Sequence, residues 1–214
     1  AARTRGLPLV VCDQPKDSGL PFVGIDDREA IKPAARALLA AGHRRIGILC
    51  IRLHHERIDG FVSPEQVERA DMHVQRDRVL GALDVFAQAG IGEIPIVTRH
   101  INDASTARSA ATELFSTHPE LTAVLCTTDS MALGVLGVLR DAGLAAPKEL
   151  SVTWFDGITT ALLAGLTTVV QPNKAKGAAA GHMLAEHIDA ALSETAPAHD
   201  HKLLPTRFNE GTTV

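Results

Sequence analysis

Residues 121–143 read LTAVLCTTDSMALGVLGVLRDAG, and the fold is decided there. Ala123-Val124-Leu125-Cys126 is an apolar run with the length of one buried strand. Two threonines and Asp129 follow. From Ser130 onward Met131, Val135, Val138, Leu139 and Ala142 fall at roughly helical spacing, and Gly143 stands where a helix stop is expected. The unit is strand, polar corner, helix. In an open parallel sheet such a corner lies at the carboxyl end of its strand, where ligands bind. Thr127, Thr128 and Asp129 are therefore the first candidates, although Asp129 alone reads more readily as a helix N-cap.

The same unit recurs on both sides of this stretch. Residues 7–12 form an apolar run, and residues 22–25 form a second, ending at Asp26-Asp27, which caps a helix over 28–41. Pro33 should kink that helix or mark its first turns. Residues 45–51 are the next strand. The region 52–75 reads as a long loop followed by a helix from about Pro64, with a further helix over 76–89. After Gly90 the alternation is regular: a strand at 94–98, Asn102-Asp103 capping a helix over 104–117, and then the 121–143 unit. A strand at 150–155 ends at Asp156-Gly157 and precedes a short helix at 159–164. A strand at 167–170 ends at Gln171-Pro172-Asn173 and leads into a helix from 174 to about 192. Residues 193–201 read as a linker, and 202–208 as a last edge strand. Strands alternating with helices predict a doubly wound α/β fold with right-handed crossovers.

Composition narrows the function. The chain has 214 residues, 45% hydrophobic and 21% charged, with a formal net charge of −4. That is ordinary globular composition, with no basic patch rich enough to bind nucleic acid unaided. No apolar run reaches the ~20 residues needed to span a bilayer, and the N-terminus lacks the shape of a signal peptide. Tyrosine is absent and aromatic residues make up 3%, which disfavours a stacking-based single-strand binder. Cys12, Cys50 and Cys126 each end an apolar run without zinc-type spacing. An odd number of strand-buried cysteines suits a reducing cytoplasm. The first residue is Ala rather than Met, which suggests a fragment of a longer polypeptide. There is no glycine-rich phosphate loop and no G-x-S-x-G turn. The ten histidines give no ligand set, with His54-His55 adjacent and His182 and His187 five apart. The sequence calls for no metal, no cofactor and no enzyme activity.

Each buried strand ends in a short polar residue: Asp26, Asn102, Thr128 with Asp129, Asp156, and Asn173. If the strands are parallel, these residues gather on one edge. Any one of them is more often a cap than a ligand contact. Together they suit a cleft for a polyhydroxylated ligand. Arg78, at the start of the helix after the long loop, adds a fork of donors.

These residues resemble the lactose-repressor (LacI/GalR) family of bacterial transcription regulators. The resemblance lies in Val23-Gly24-Ile25-Asp26-Asp27, in Ala35, Leu38 and Leu39 followed by Gly42-His43-Arg44-Arg45-Ile46, and in Arg78-Val79-Leu80-Gly81. It continues in Thr122-Ala123-Val124, in Thr128-Asp129-Ser130-Met131-Ala132-Leu133-Gly134, and in Leu150-Ser151-Val152 before Phe155-Asp156. Leu166-Thr167-Thr168-Val169 and Gln171-Pro172 complete it. It covers nearly the whole chain and its motifs occur in order.

The resemblance implies a periplasmic-binding-protein-like domain of two doubly wound parallel-sheet lobes, the N-terminal lobe incomplete. Residues 1–25 and 172–193 would be the remnant of that lobe, and 27–170 with 203–214 the C-terminal lobe. It implies a repressor that binds a small polar metabolite, a sugar, in the interlobe cleft. It also implies a cytoplasmic homodimer that reads operator DNA through an absent N-terminal helix-turn-helix, with no membrane partner. Arg78 matches the arginine that holds the effector, and Asp156 the aspartate that accepts its hydrogen bonds. Thr128 stands where many relatives carry Asn, and Asp26 borders the cleft. Asn102 stands about where relatives place a stacking aromatic, and Trp154 replaces a glycine. A solute-binding protein of an uptake system shares the fold and is the alternative.

Overall fold

The computed structural model describes residues 5–195 and 200–214. In chain order it begins with β1 (Val11–Cys12), β2 (Phe22–Gly24), α1 (Asp27–Ala30), α2 (Lys32–Ala40), β3 (Ile46–Ile51) and β4 (Gly60–Val62). There follow α3 (Pro64–Glu68), α4 (His73–Gln88), β5 (Ile96–Arg99), α5 (Ala104–Thr117), β6 (Ala123–Cys126) and α6 (Asp129–Asp141). The remainder is β7 (Ser151–Asp156), α7 (Thr159–Leu163), β8 (Thr168–Val170), α8 (Asn173–Leu192), β9 (His201–Leu203) and β10 (Arg207–Asn209). Two compact units divide the chain: Ala1–Asp26 with Pro172–Thr206, and Asp27–Gln171 with Arg207–Val214.

The larger unit carries a seven-stranded sheet in the order β10-β8-β7-β6-β3-β5-β4. Its five central strands are parallel, and the edge strands β10 and β4 are antiparallel. Central parallel strands lie between helices on both faces, which is why Ile46–Ile51 and Ala123–Cys126 are apolar throughout. On one face Leu49, Val97, Val124, Val152 and Trp154 pack against the alanines of α5 and against Met131 and Val135 of α6. From β3 the chain moves outward to β5, then returns to the other side of β3 as β6. The reversal opens a crevice at the carboxyl ends of β3 and β6, and polar side chains are expected there. The smaller unit holds a three-stranded parallel sheet, β1-β2-β9, with Val23 packed on Ala179 and Met183 of α8.

Several expectations from the sequence give way. The helix over 28–41 is two helices, broken at Ile31, with Pro33 in the first turn of the second, where its missing N–H costs nothing. In the region 52–75 the helix expected from about Pro64 is present as α3, but the segment before it is not all loop. It contributes β4 along the edge strand β5, and Ser63 starts α3 through a reciprocal capping box with Gln66. The strand over 202–208 is two strands in different sheets. β9 pairs with β2 and β10 with β8, and Pro205 between them supplies no backbone donor to continue either ladder. The larger unit accordingly resumes at Arg207 rather than at 203. The apolar run 7–12 yields only a two-residue strand, and Cys12 is exposed while Cys50 and Cys126 are buried. Of the linker over 193–201, residues 196–199 lie outside the described residues.

Candidate functional site

Helix α4 turns Val74, Gln75, Arg78, Val79, Ala82, Val85 and Phe86 inward. These positions recur every three or four residues, so Arg78 is built into a stripe that is apolar apart from Gln75. It is 4% exposed. A buried guanidinium persists only when paired and hydrogen-bonded. Arg78 Nε donates to Asp27 Oδ1 at 2.8 Å, and Nη1 donates to the Thr127 carbonyl at 2.9 Å and to Asp156 Oδ1 at 3.3 Å. The Phe155 ring lies 3.8 Å below the guanidinium carbon, covering one of its faces. Nη2 makes no hydrogen bond among the described residues and is not among the buried unpaired atoms. It is the one guanidinium nitrogen without such a partner.

Local sequence explains how these groups meet. Asp27 opens α1, and α1 packs on α4 at Gly81, where an added Cβ would lie 2.2 Å from the Arg28 carbonyl oxygen. Thr127 directly follows β6 and Asp156 ends the neighbouring parallel strand β7, so one edge of the sheet presents both. Asp156 sits at φ +118°, a conformation costly for any residue with a Cβ. Gln171, at the end of β8, donates its Nε2 to Asp156 Oδ1 at 2.6 Å and its backbone N–H to the Asp156 carbonyl at 3.1 Å.

Thr128, not Asp129, is the N-cap of α6: its hydroxyl accepts from the Met131 N–H. Asp129 is 1% exposed and accepts from the Ile158 N–H at 2.7 Å and the Thr168 hydroxyl at 3.2 Å. It thus ties the start of α6 to the corner after Asp156. Burial, reinforced by the charge of Asp156, pushes its carboxyl up to about 6. The Ser130 hydroxyl donates to the Asn102 side chain and lies 3.0 Å from the Thr128 hydroxyl.

Of the candidates, Arg78 and Asp156 are brought into direct contact. Thr128 and Asn102 are joined by Ser130 in a second polar row within the same unit. Asp26 and Asn173 belong to the smaller unit, and both are exposed. Sequence reasoning missed Asp27, Phe155, Gln171 and Ser130 as parts of this site. Of the doubled aspartate 26–27, one member is exposed and the other buried, a difference the sequence does not carry.

The constellation offers carboxylate acceptors and one guanidinium edge, a pattern that suits hydroxyl groups. No group of three or more His, Cys, Asp or Glu side chains among the described residues is placed to hold a metal ion. No described helix is long and apolar enough to cross a membrane. A cavity of about 670 Å³ in the larger unit lies along α5 and α6, lined by Leu133, Gly137 and Arg140; Ser130 borders it, whereas Arg78, Asp27 and Asp156 do not.

Residues 35–214 match the family model of the periplasmic binding protein-like domain. The chain is 50% identical over 217 residues to the HTH-type transcriptional regulator IpsA of Corynebacterium glutamicum, an alignment covering all of this chain and 59% of that protein. The crystal structure of a LacI family transcriptional regulator from Corynebacterium glutamicum superposes with a TM-score of 0.91 at 48% identity, over all of this chain and 62% of that one. A LacI family regulator from Enterococcus faecium with bound ribose shares the fold, with a TM-score of 0.78 at 21% identity over 99% of this chain and 71% of that one. The chain spans between about half and three fifths of the length of the curated relatives it matches first.

Proposed function

This chain belongs to the LacI/GalR family, through its periplasmic-binding-protein-like domain, and on that premise we propose that it is the effector-binding part of a ligand-responsive transcription regulator. The effector is a small polar metabolite, a sugar, and the regulator is a cytoplasmic homodimeric repressor. It reads operator DNA through a helix-turn-helix in the part of the polypeptide that this chain does not span. Binding is not followed by chemistry.

One observation carries this reading. Arg78 is clamped by Asp27, Thr127 and Asp156 at the carboxyl edge of a parallel sheet, with Nη2 unused. A pre-positioned donor beside a carboxylate acceptor is what a vicinal diol needs, and its rigidity reduces the ordering cost of binding. The ribose bound by the Enterococcus faecium regulator supports a sugar as the effector. A ligand that favours one arrangement of the dimer over another would change the presentation of its DNA-binding heads.

The test uses the full-length protein. Thermal shift against a panel of neutral mono- and disaccharides should give at least one hit. Arg78→Lys and Asp156→Asn should each weaken that hit by roughly tenfold or more, the scale of a hydrogen bond to a charged group. The same sugar should change operator affinity in a mobility-shift assay. A panel without hits, or hits indifferent to both substitutions, overturns the proposal. Binding with no change at the operator overturns the regulatory half of it.

A further inference from the structure

A lone guanidinium at a binding edge ordinarily invites an anion. Here the surroundings act against one. Arg78 meets two carboxylates, Asp27 at 2.8 Å and Asp156 at 3.3 Å. The Arg78 and Asp27 side chains are 5% and 7% exposed, so water screens their pairing little. Asp129 lies buried at the next corner and senses Asp156. Arg78 thus meets two carboxylates, with a third carboxylate beyond Asp156. Arg99, at the end of β5, is committed to Glu113 and Ser109. Phe155 covers a face of the Arg78 guanidinium, so an approaching group meets its Nη2 edge and the carboxylate of Asp156 together.

We propose that Asp27 sets the charge class of the effector: it neutralises Arg78, so the site takes uncharged polyols and excludes phosphorylated or carboxylated sugars. The assignment rests on the reading that Arg78 and Asp156 touch the effector. Asp27 is then a specificity-determining residue that acts through Arg78. A hydroxyl accepts from Nη2 while a neighbouring hydroxyl donates to Asp156, and neither exchange adds negative charge to a site already rich in it. A phosphate or carboxylate at Nη2 would instead bring a further negative charge beside Asp156, against a guanidinium whose charge Asp27 already offsets.

Inorganic phosphate is the probe, titrated into the full-length regulator by calorimetry. Wild-type protein should show no saturable binding that depends on Arg78. Asp27→Asn, which keeps the shape and removes the charge, should gain saturable binding, roughly tenfold or more tighter than wild type. Adding Arg78→Leu should abolish the gain, and Asp27→Glu should behave as wild type. Phosphate binding to wild type that Arg78→Leu removes would overturn the proposal, as would a folded Asp27→Asn variant with no gain. If Asp27→Asn fails to fold, the wild-type protein still decides. Each neutral sugar that binds is compared with its phosphorylated counterpart, and a counterpart that binds equally well overturns the proposal. A panel in which no neutral sugar binds sinks the effector reading instead, and the phosphate response of Asp27→Asn remains readable on its own.

Discussion

Arg78 Nε donates to Asp27 Oδ1 across 2.8 Å, and the two residues come from helices 51 positions apart in sequence. Both side chains are more than nine-tenths buried. Such a pair is worth little against a well-packed apolar replacement, but breaking it from one side strands a charge. Arg78→Met should cost about 3–5 kcal/mol in urea denaturation. The double variant Arg78→Met with Asp27→Leu should recover most of that loss while remaining unable to bind effector. A single variant within about 1 kcal/mol of wild type, the range of exposed pairs, would show that solvent reaches the pair.

Asp129 makes stability depend on pH with a definite sign. Burial raises its folded-state carboxyl to about 6, against an ordinary value of 3.8. The folded state therefore takes up this proton before the unfolded state does. Its contribution to stability is fully present below about pH 4 and is lost as pH rises through about 6. Carboxylates held low, such as Asp84 hydrogen-bonded to Arg28, act in the opposite direction, so the comparison must be with a variant. Relative to Asp129→Asn, wild type should gain on the order of 2–3 kcal/mol between about pH 7 and pH 4. Parallel stability–pH curves for the two proteins would refute the shift.

Asp156 holds φ at +118°, so its Cβ is strained where its carboxylate is needed. Asp156→Ala and Asp156→Gly remove the carboxylate equally, but only glycine relaxes the backbone. Glycine also has more conformational freedom to lose on folding, so the net advantage should be about 1 kcal/mol in its favour. Effector binding should be lost equally in both. An alanine variant as stable as the glycine variant would mean that the corner relaxes without strain.

The repeated strand–corner–helix unit was legible because each of its parts has a period. The apolar run 123–126 is β6, and the helical spacing from Ser130 onward is α6. β4 was not legible: three residues, Gly60-Phe61-Val62, are too few for a pattern, and antiparallel pairing to β5 makes them a strand. The segment 202–208 kept the composition of one strand while serving two sheets. At the site, Arg78 and Asp156 could be picked from motif and corner, but Asp27 could not. Adjacent aspartates look alike in sequence, and only the seating of α1 on α4 decides which one turns inward. Asp129 shows the reverse error. Its position before a helix suggested a cap, yet Thr128 supplies the cap and Asp129 bonds across to the next corner.

That seating of α1 on α4 gives Arg78-Val79-Leu80-Gly81 a physical meaning. Gly81 lies nearly one helical turn beyond Arg78, on the same buried face of α4. A Cβ there would stand 2.2 Å from the Arg28 carbonyl oxygen and 2.6 Å from Ile31 Cγ2. The nearer obstacle is backbone, so it cannot yield by changing rotamer. α1 would have to move, carrying Asp27 away from Arg78. Gly81→Ala should therefore cost about 1–3 kcal/mol or more, the usual range for overpacking, and it should loosen the Asp27–Arg78 pair. Gly137 in α6 is the control. An added Cβ there meets Nη1 of Arg108, the far end of a flexible side chain. Gly137→Ala should be neutral, or stabilise by up to about 1 kcal/mol through helix propensity. Calorimetric melting of the two variants separates backbone crowding from the general effect of adding a methyl group. If Gly81→Ala melts with wild type, α1 does not rest on that glycine, and the closeness of Asp27 to Arg78 must have another cause.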